Sequence, residues 1–166
     1  VRVKQKYLYR SPYSKTLFLD SDTKLINPID DLFDLLDRVD LAAALDHVRK
    51  DDKKSAVYPD YAEIPLSFSE FNSGVILFRK CQQVYDFFKT WQENYAVWTK
   101  LSGRLNDQPS FRVSLWQCNG LRLFTLPPEF NIRTQDKRDG SKTIIPRLYH
   151  WHNMYDKNLN RIPQRF

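Results

Sequence analysis

The stretch Thr16-Leu17-Phe18-Leu19-Asp20-Ser21-Asp22-Thr23 decides how the rest of the chain reads. Residues suited to a buried strand run straight into two carboxylates at spacing i, i+2. On an extended backbone that spacing puts both side chains on one side of the strand. Two acids at the end of an apolar strand repel each other and are costly to desolvate. A divalent cation resolves that conflict, because magnesium and manganese take hard oxygen ligands. The expectation is a metal-diphosphate site at the end of a central strand. A solvated loop or a helix cap is the competing reading. With sixteen aspartates in 166 residues, one such pair also arises by chance.

Composition sets the frame around that stretch. The length fits a single domain, residues 1–166, with enough chain for a real core. Hydrophobic residues make up 42% and aromatics 14%, which favours a packed interior over disorder. The net charge of +6 suits a solvated basic surface or attraction to anionic ligands such as nucleotide diphosphates, acidic glycans or lipid heads. No basic helix and no aromatic-basic motif appears, so no specific nucleic-acid partner is expected. No apolar run approaches the ~20 residues that span a bilayer, although peripheral membrane contact stays open. No secretory leader is visible, and the cytoplasm is the favoured location. Cys81 and Cys118 read as ordinary thiols.

Along the chain, residues 1–9 read as the end of a helix, broken at Pro12. Asn27-Pro28 followed by Asp30 and Asp31 reads as a helix start. Ile29, Leu32, Phe33, Leu36 and Val39 recur at helical spacing, predicting a helix over 28–38. Leu41–Leu45 reads as a second buried strand, and residues 49–70 as a long charged loop. In Phe71-Asn72-Ser73-Gly74-Val75-Ile76-Leu77-Phe78, small polar residues precede an apolar strand. Gly74 would allow a close approach, and the Asn72 amide suits a sugar hydroxyl; a plain turn is the alternative. Residues 81–100 carry an aromatic stripe (Val84, Phe87, Phe88, Trp91, Tyr95, Trp98) that marks a core-facing helix. Asn106-Asp107-Gln108-Pro109 opens another helix, so a capping role for Asp107 competes with a catalytic one. Residues 121–126 read as a strand, 127–131 as an extended link and 134–142 as a mobile loop. His150 and His152 stand at strand spacing; a structural role competes with one of them facing the acids as a metal ligand.

Taken in order, Leu-Phe-Leu-Asp20-Ser21-Asp22-Thr, Ala-Ala-Ala, Phe-Asn72-Ser73-Gly74-Val, Asn-Asp107-Gln108-Pro, Leu-Pro-Pro-Glu-Phe-Asn131 and Tyr-His150-Trp resemble the nucleotide-diphospho-sugar glycosyltransferases of the GT-A fold, in the glycogenin-like and lipopolysaccharide-galactosyltransferase-like branch. The resemblance covers about residues 4–152. It implies an α/β domain with a mixed sheet flanked by helices, forming the C-terminal part of a GT-A fold. It implies a nucleotide-sugar donor, such as a UDP-sugar, with Mn2+ or Mg2+ held by Asp20, Asp22 and His150. Asp20 and Ser21 would lie by the nucleotide, and Asn72, Ser73 and Gly74 by the donor sugar. Asp107 and Gln108 would lie near the transferred sugar, and a basic residue within 4–10 would face the phosphates. The acceptor, whether glycan, lipid or protein, is not encoded in these motifs.

Two departures accompany the resemblance. Only about fifteen residues precede the acid strand, so the family's N-terminal base-binding unit is expected to be absent or truncated. Asn153 also stands where the late family pattern has Gly, and Lys157 fits its Lys only with a shift. A truncated, non-catalytic binding module is therefore the alternative function. Haloacid-dehalogenase-like phosphatases also place Asp-x-Asp after a strand, but they need Thr or Val where Lys24 stands.

Overall fold

The computed structural model describes residues 4–46, 51–133 and 145–150. Helix α1 (Lys4–Tyr7) runs into a 3-10 turn at Leu8–Arg10, followed by strands β1 (Lys15–Leu19) and β2 (Thr23–Leu25). Next come α2 (Leu32–Leu35), β3 (Leu41–Leu45), α3 (Asp52–Ser55), α4 (Pro59–Glu63) and β4 (Phe71–Arg79). The long helix α5 (Gln82–Ser102) leads to α6 (Gln108–Gln117), β5 (Leu123–Leu126), a 3-10 turn at Pro128–Phe130, and β6 (Leu148–His150).

The main sheet has the order β1-β4-β3-β5. β4 pairs antiparallel with both β1 and β3, and β5 runs parallel to β3. This is the mixed sheet expected for the fold class. Side chains alternate across β3 and β4, as strand geometry requires. Leu41, Ala43, Ile76 and Phe78 meet Phe87, Phe88 and Trp91 of α5 and Phe111 of α6 on one face. Ala42, Ala44, Val75 and Leu77 meet Leu32, Leu36, Leu126 and Phe130 on the other. The aromatic stripe of α5 is buried as its spacing predicts. A third cluster joins Tyr58, Tyr61 and Ile64 to Tyr95, Trp98 and Val113. Each large side chain buried in this way stabilises the fold by about 1.5–3 kcal/mol.

Several expectations are corrected. The acid strand β1 is an edge strand among the described residues, with all five residues half-buried, and β4 takes the central, buried place. The helix expected over 28–38 is a single turn, Leu32–Leu35. Its supposed cap, Asn27, instead donates through Nδ2 to the Pro146 carbonyl at 2.6 Å, and Arg147 donates to the Pro28 carbonyl. Tertiary bonds to residues 146 and 147 thus replace the first helical turn. The charged stretch 49–70 holds α3 and α4 instead of an open loop; Asp51 caps α3 by accepting from the Lys53 N–H at 2.9 Å. Residues 128–130 form a 3-10 turn where an extended link was expected. The expected loop at 134–142 lies outside the described residues, as do His152, Asn153 and Lys157. No helix among the described residues is long and apolar enough to cross a membrane.

Candidate functional site

An irregularity in β4 creates the site. Ala43 faces Ile76, but Ala44 faces Asn72, so the register with β3 skips Ser73, Gly74 and Val75. The Asn72 side chain stabilises this bulge: its Oδ1 accepts the Gly74 N–H at 2.8 Å, and its Nδ2 donates to Asp46 Oδ2 at 3.3 Å. Arg133 reaches the same Asp46 oxygen at 3.2 Å. On the other edge, the Asp20 N–H donates to the Gly74 carbonyl at 2.8 Å. Gly74 is packed so closely that a Cβ there would collide with the His150 ring and lie 2.7 Å from Asp20 Oδ2. The absence of a side chain is what lets these groups converge.

The acid pair lies on a tight turn rather than on the strand itself. Thr23 closes it, donating to the Asp20 carbonyl through N–H at 3.1 Å and Oγ1 at 2.8 Å. Strand β2 then pairs with β6, and Thr23 stands opposite His150. Asp20, Asp22 and His150 each offer one ligand atom, and these atoms lie within 4.8 Å of one another. His150 Nε2 is 3.3 Å from Asp22 Oδ1. The tautomer follows from Asn131. Its Nδ2 donates to the Leu45 carbonyl at 3.1 Å, so its Oδ1, 2.9 Å from His150 Nδ1, must accept. Nδ1 therefore carries a proton, and Nε2 is the nitrogen turned toward the Asp22 carboxylate. An imidazole nitrogen and two carboxylates this close offer the mixed N/O donor set that a divalent cation takes.

Behind this trio sits a second group. Lys4 Nζ lies 3.2 Å from Asp20 Oδ1 and 3.1 Å from Asp107 Oδ2, and donates to the Ser73 carbonyl at 2.7 Å. Its ammonium also lies 5.4 Å from the Phe18 ring centroid. Asp107 occupies the N-cap position of α6, yet its side chain makes no capping bond. It accepts from Ser73 Oγ at 2.9 Å. Ser110 and Trp91 bond its backbone carbonyl instead, fixing it from below. The sequence left capping and catalysis open for this residue, and the side chain faces the site. Gln108 is half-buried and donates from Nε2 to Glu70 Oε1 at 3.5 Å, and Ser21 is exposed on the turn. Burial pushes the Glu70 carboxyl upward, against the pull of Lys54, Tyr61 and Arg112.

Among the described residues, Asp20, Asp22 and Asp107 thus lie about the Lys4 ammonium and the His150 imidazole. Oxygen and imidazole donors gathered in this way suit a cation.

The model of the nucleotide-diphospho-sugar transferase family matches residues 14–161. The chain belongs to that family. Among solved structures, it resembles an active-site mutant of LgtC with a TM-score of 0.59 at 18% identity, over 87% of this chain and 56% of that one. The galactosyltransferase LgtC, in complex with donor and acceptor sugar analogues, gives a TM-score of 0.57 at 16% identity, over 92% and 59%. Mouse xyloside xylosyltransferase 1 gives 0.56 at 18% identity, over 97% and 64%. The family member described here therefore spans less than two thirds of the length of these structures. No curated protein matches the sequence significantly.

Within this family member, sequence reasoning assigned no role to Asn131, Asp46 or Glu70, and left the basic residue among 4–10 unassigned. Asp46 carried a readable signal: like Asp20, it is an acid directly following an apolar strand. Lys4 is the residue of the basic segment that reaches the acids, whereas Arg10 lies over the Tyr7 and Tyr9 rings.

Proposed function

We propose that this chain forms the donor site of a metal-dependent glycosyltransferase, which moves a sugar from a nucleotide-diphosphate donor to a glycan, lipid or protein acceptor. Residues 1–166 are read as one such domain. The observation that carries the reading is the convergence of Asp20, Asp22 and His150, with Nε2 turned toward Asp22. These three residues would hold Mn2+ or Mg2+. The ion would supply Lewis acidity toward the donor pyrophosphate as negative charge develops on the leaving nucleotide. Asp20 and Ser21 would lie by the nucleotide. Ser73 and Gly74 would lie by the donor sugar, on a bulge that Asn72 keeps in shape. Lys4 offsets the charge of Asp20 and Asp107 and stands ready to face a phosphate. Asp107 and Gln108 would flank the transferred sugar. The fold shared with the galactosyltransferase LgtC, which is known in complex with donor and acceptor sugar analogues, agrees with a transferase reading.

A second reading, a transferase-like module that binds without turnover, draws on the partial coverage of the solved structures. Calorimetric titration of the chain with UDP, with and without Mn2+, separates the two. Saturable binding that appears only with Mn2+ is expected of a donor site. No binding of any nucleoside diphosphate under either condition would leave the module.

A further inference from the structure

Glu70 is a buried acid immediately before the Phe71–Gly74 segment, and its neighbours divide between its two oxygens. On the Oε2 side, the Tyr61 hydroxyl donates at 2.8 Å and Arg112 Nη1 lies at 3.5 Å. On the Oε1 side, Gln108 Nε2 donates at 3.5 Å and Lys54 Nζ lies at 3.8 Å. The frame around it is well anchored. Arg112 is fully buried and also donates to the Pro65 and Phe68 carbonyls at 3.1 and 2.6 Å. The Glu70 carbonyl accepts the Asp46 N–H at 2.8 Å, tying the residue to the brace behind the bulge.

Because Gln108 donates through Nε2 to Glu70 Oε1, the end of its amide turned toward the carboxyl is the NH2 group. The carbonyl oxygen of that amide is then the end turned away from Glu70, one residue along from Asp107. We infer that Glu70 is a positioning residue that fixes the Gln108 amide with its oxygen presented to the donor sugar. This inference deepens the donor-site reading and rests on it. Glu70 itself touches no substrate, and it acts through Gln108 alone.

The Glu70→Gln substitution tests the orientation directly. A neutral amide at 70 keeps its oxygen for Tyr61 and Arg112, which puts NH2 against the Gln108 NH2. The Gln108 amide must then turn over. Three readouts on the full chain follow. First, the side-chain amide resonances of Gln108, assigned by their loss in Gln108→Ala, shift in Glu70→Gln without any ligand. Second, kcat for UDP-sugar hydrolysis falls roughly 10- to 100-fold, as expected for a misplaced group near the reacting centre, with donor KM and Mn2+-dependent UDP affinity unchanged. Third, Glu70→Gln combined with Gln108→Ala is no slower than Gln108→Ala alone. Glu70→Asp, which retains the charge facing Arg112 and Lys54 but withdraws the carboxylate, guards against a folding defect and should reproduce the first two effects. Unshifted Gln108 resonances, or losses that multiply in the double variant, overturn the assignment. Failure of the unaltered chain to bind UDP would instead sink the donor-site reading, and the resonance shift would still decide the Glu70–Gln108 contact.

Discussion

Two carboxylate clusters flank the central strand, one at each end, and they keep opposite company. At the Arg79 end, Asp40 is buried and accepts from Arg79 Nη2 at 2.7 Å, Arg122 Nη2 at 2.8 Å and the Arg122 N–H at 3.0 Å. Two guanidiniums serve one acid. At the Asn72–Gly74 end, among the described residues, Asp20 and Asp107 share the Lys4 ammonium while Asp22 faces the His150 imidazole. The first cluster is electrostatically complete and joins β3, β4 and the start of β5. The second gathers three acids of like charge at a bulge and beside a turn. Groups arranged against their own stability are the ones expected to await a ligand.

The sharpest way to break this contrast is Asp22→Ala. It should lower Mn2+-dependent UDP affinity by roughly 100-fold or more, since even partners behind a metal ligand cost 10–100-fold when lost. Resistance to urea should stay the same or rise slightly, because a repulsion is removed; parental UDP affinity in the variant would erase the distinction between the clusters. Asp40→Asn should behave in the reverse manner. Its unfolding free energy should drop by about 1–3 kcal/mol, the loss of charge-assisted hydrogen bonds, while UDP affinity holds.

The pH dependence sharpens the point. Hydrogen bonding from the Arg122 side chain, aided by Arg79 and opposed by burial, holds the Asp40 carboxyl well below the usual carboxylate range. A depressed folded-state value means the contribution is complete above the unfolded value and is lost as acid protonates the folded group. The stability gap between parent and Asp40→Asn should therefore narrow between about pH 5 and pH 2, as read by urea unfolding at each pH. The smallest expected effect belongs to Asn131→Ala. Without its oxygen, His150 is no longer held with the proton on Nδ1, and Mn2+ affinity should fall about 10-fold. An unchanged Mn2+ titration would mean the tautomer is set by something else.

Much of the second cluster was legible in the sequence because it sits on chain punctuation. Asp20 and Asp22 follow an apolar run, His150 ends one, and Asn72-Ser73-Gly74 interrupts one. What the sequence hid was long-range. Nothing local says that Asn131 spends its amide on Leu45 and so fixes an imidazole nineteen positions on. Nothing local separates Lys4 from Lys6 or Arg10, because the choice depends on how α1 packs against α5. The single turn at Leu32–Leu35 shows the same limit from the other side. Its apolar spacing was right, but hydrogen bonds from Asn27 and Arg147, made across the fold, outweighed helix propensity. The strand order of the sheet was equally invisible, so an edge strand looked central.

The crowding around Gly74 also makes one codon informative. A chain that kept this fold but no longer needed its imidazole and acid side by side would be free to accept alanine or serine there. Reading that single position in other chains of this architecture would then sort those still fitted for cation chemistry from those that have drifted away from it.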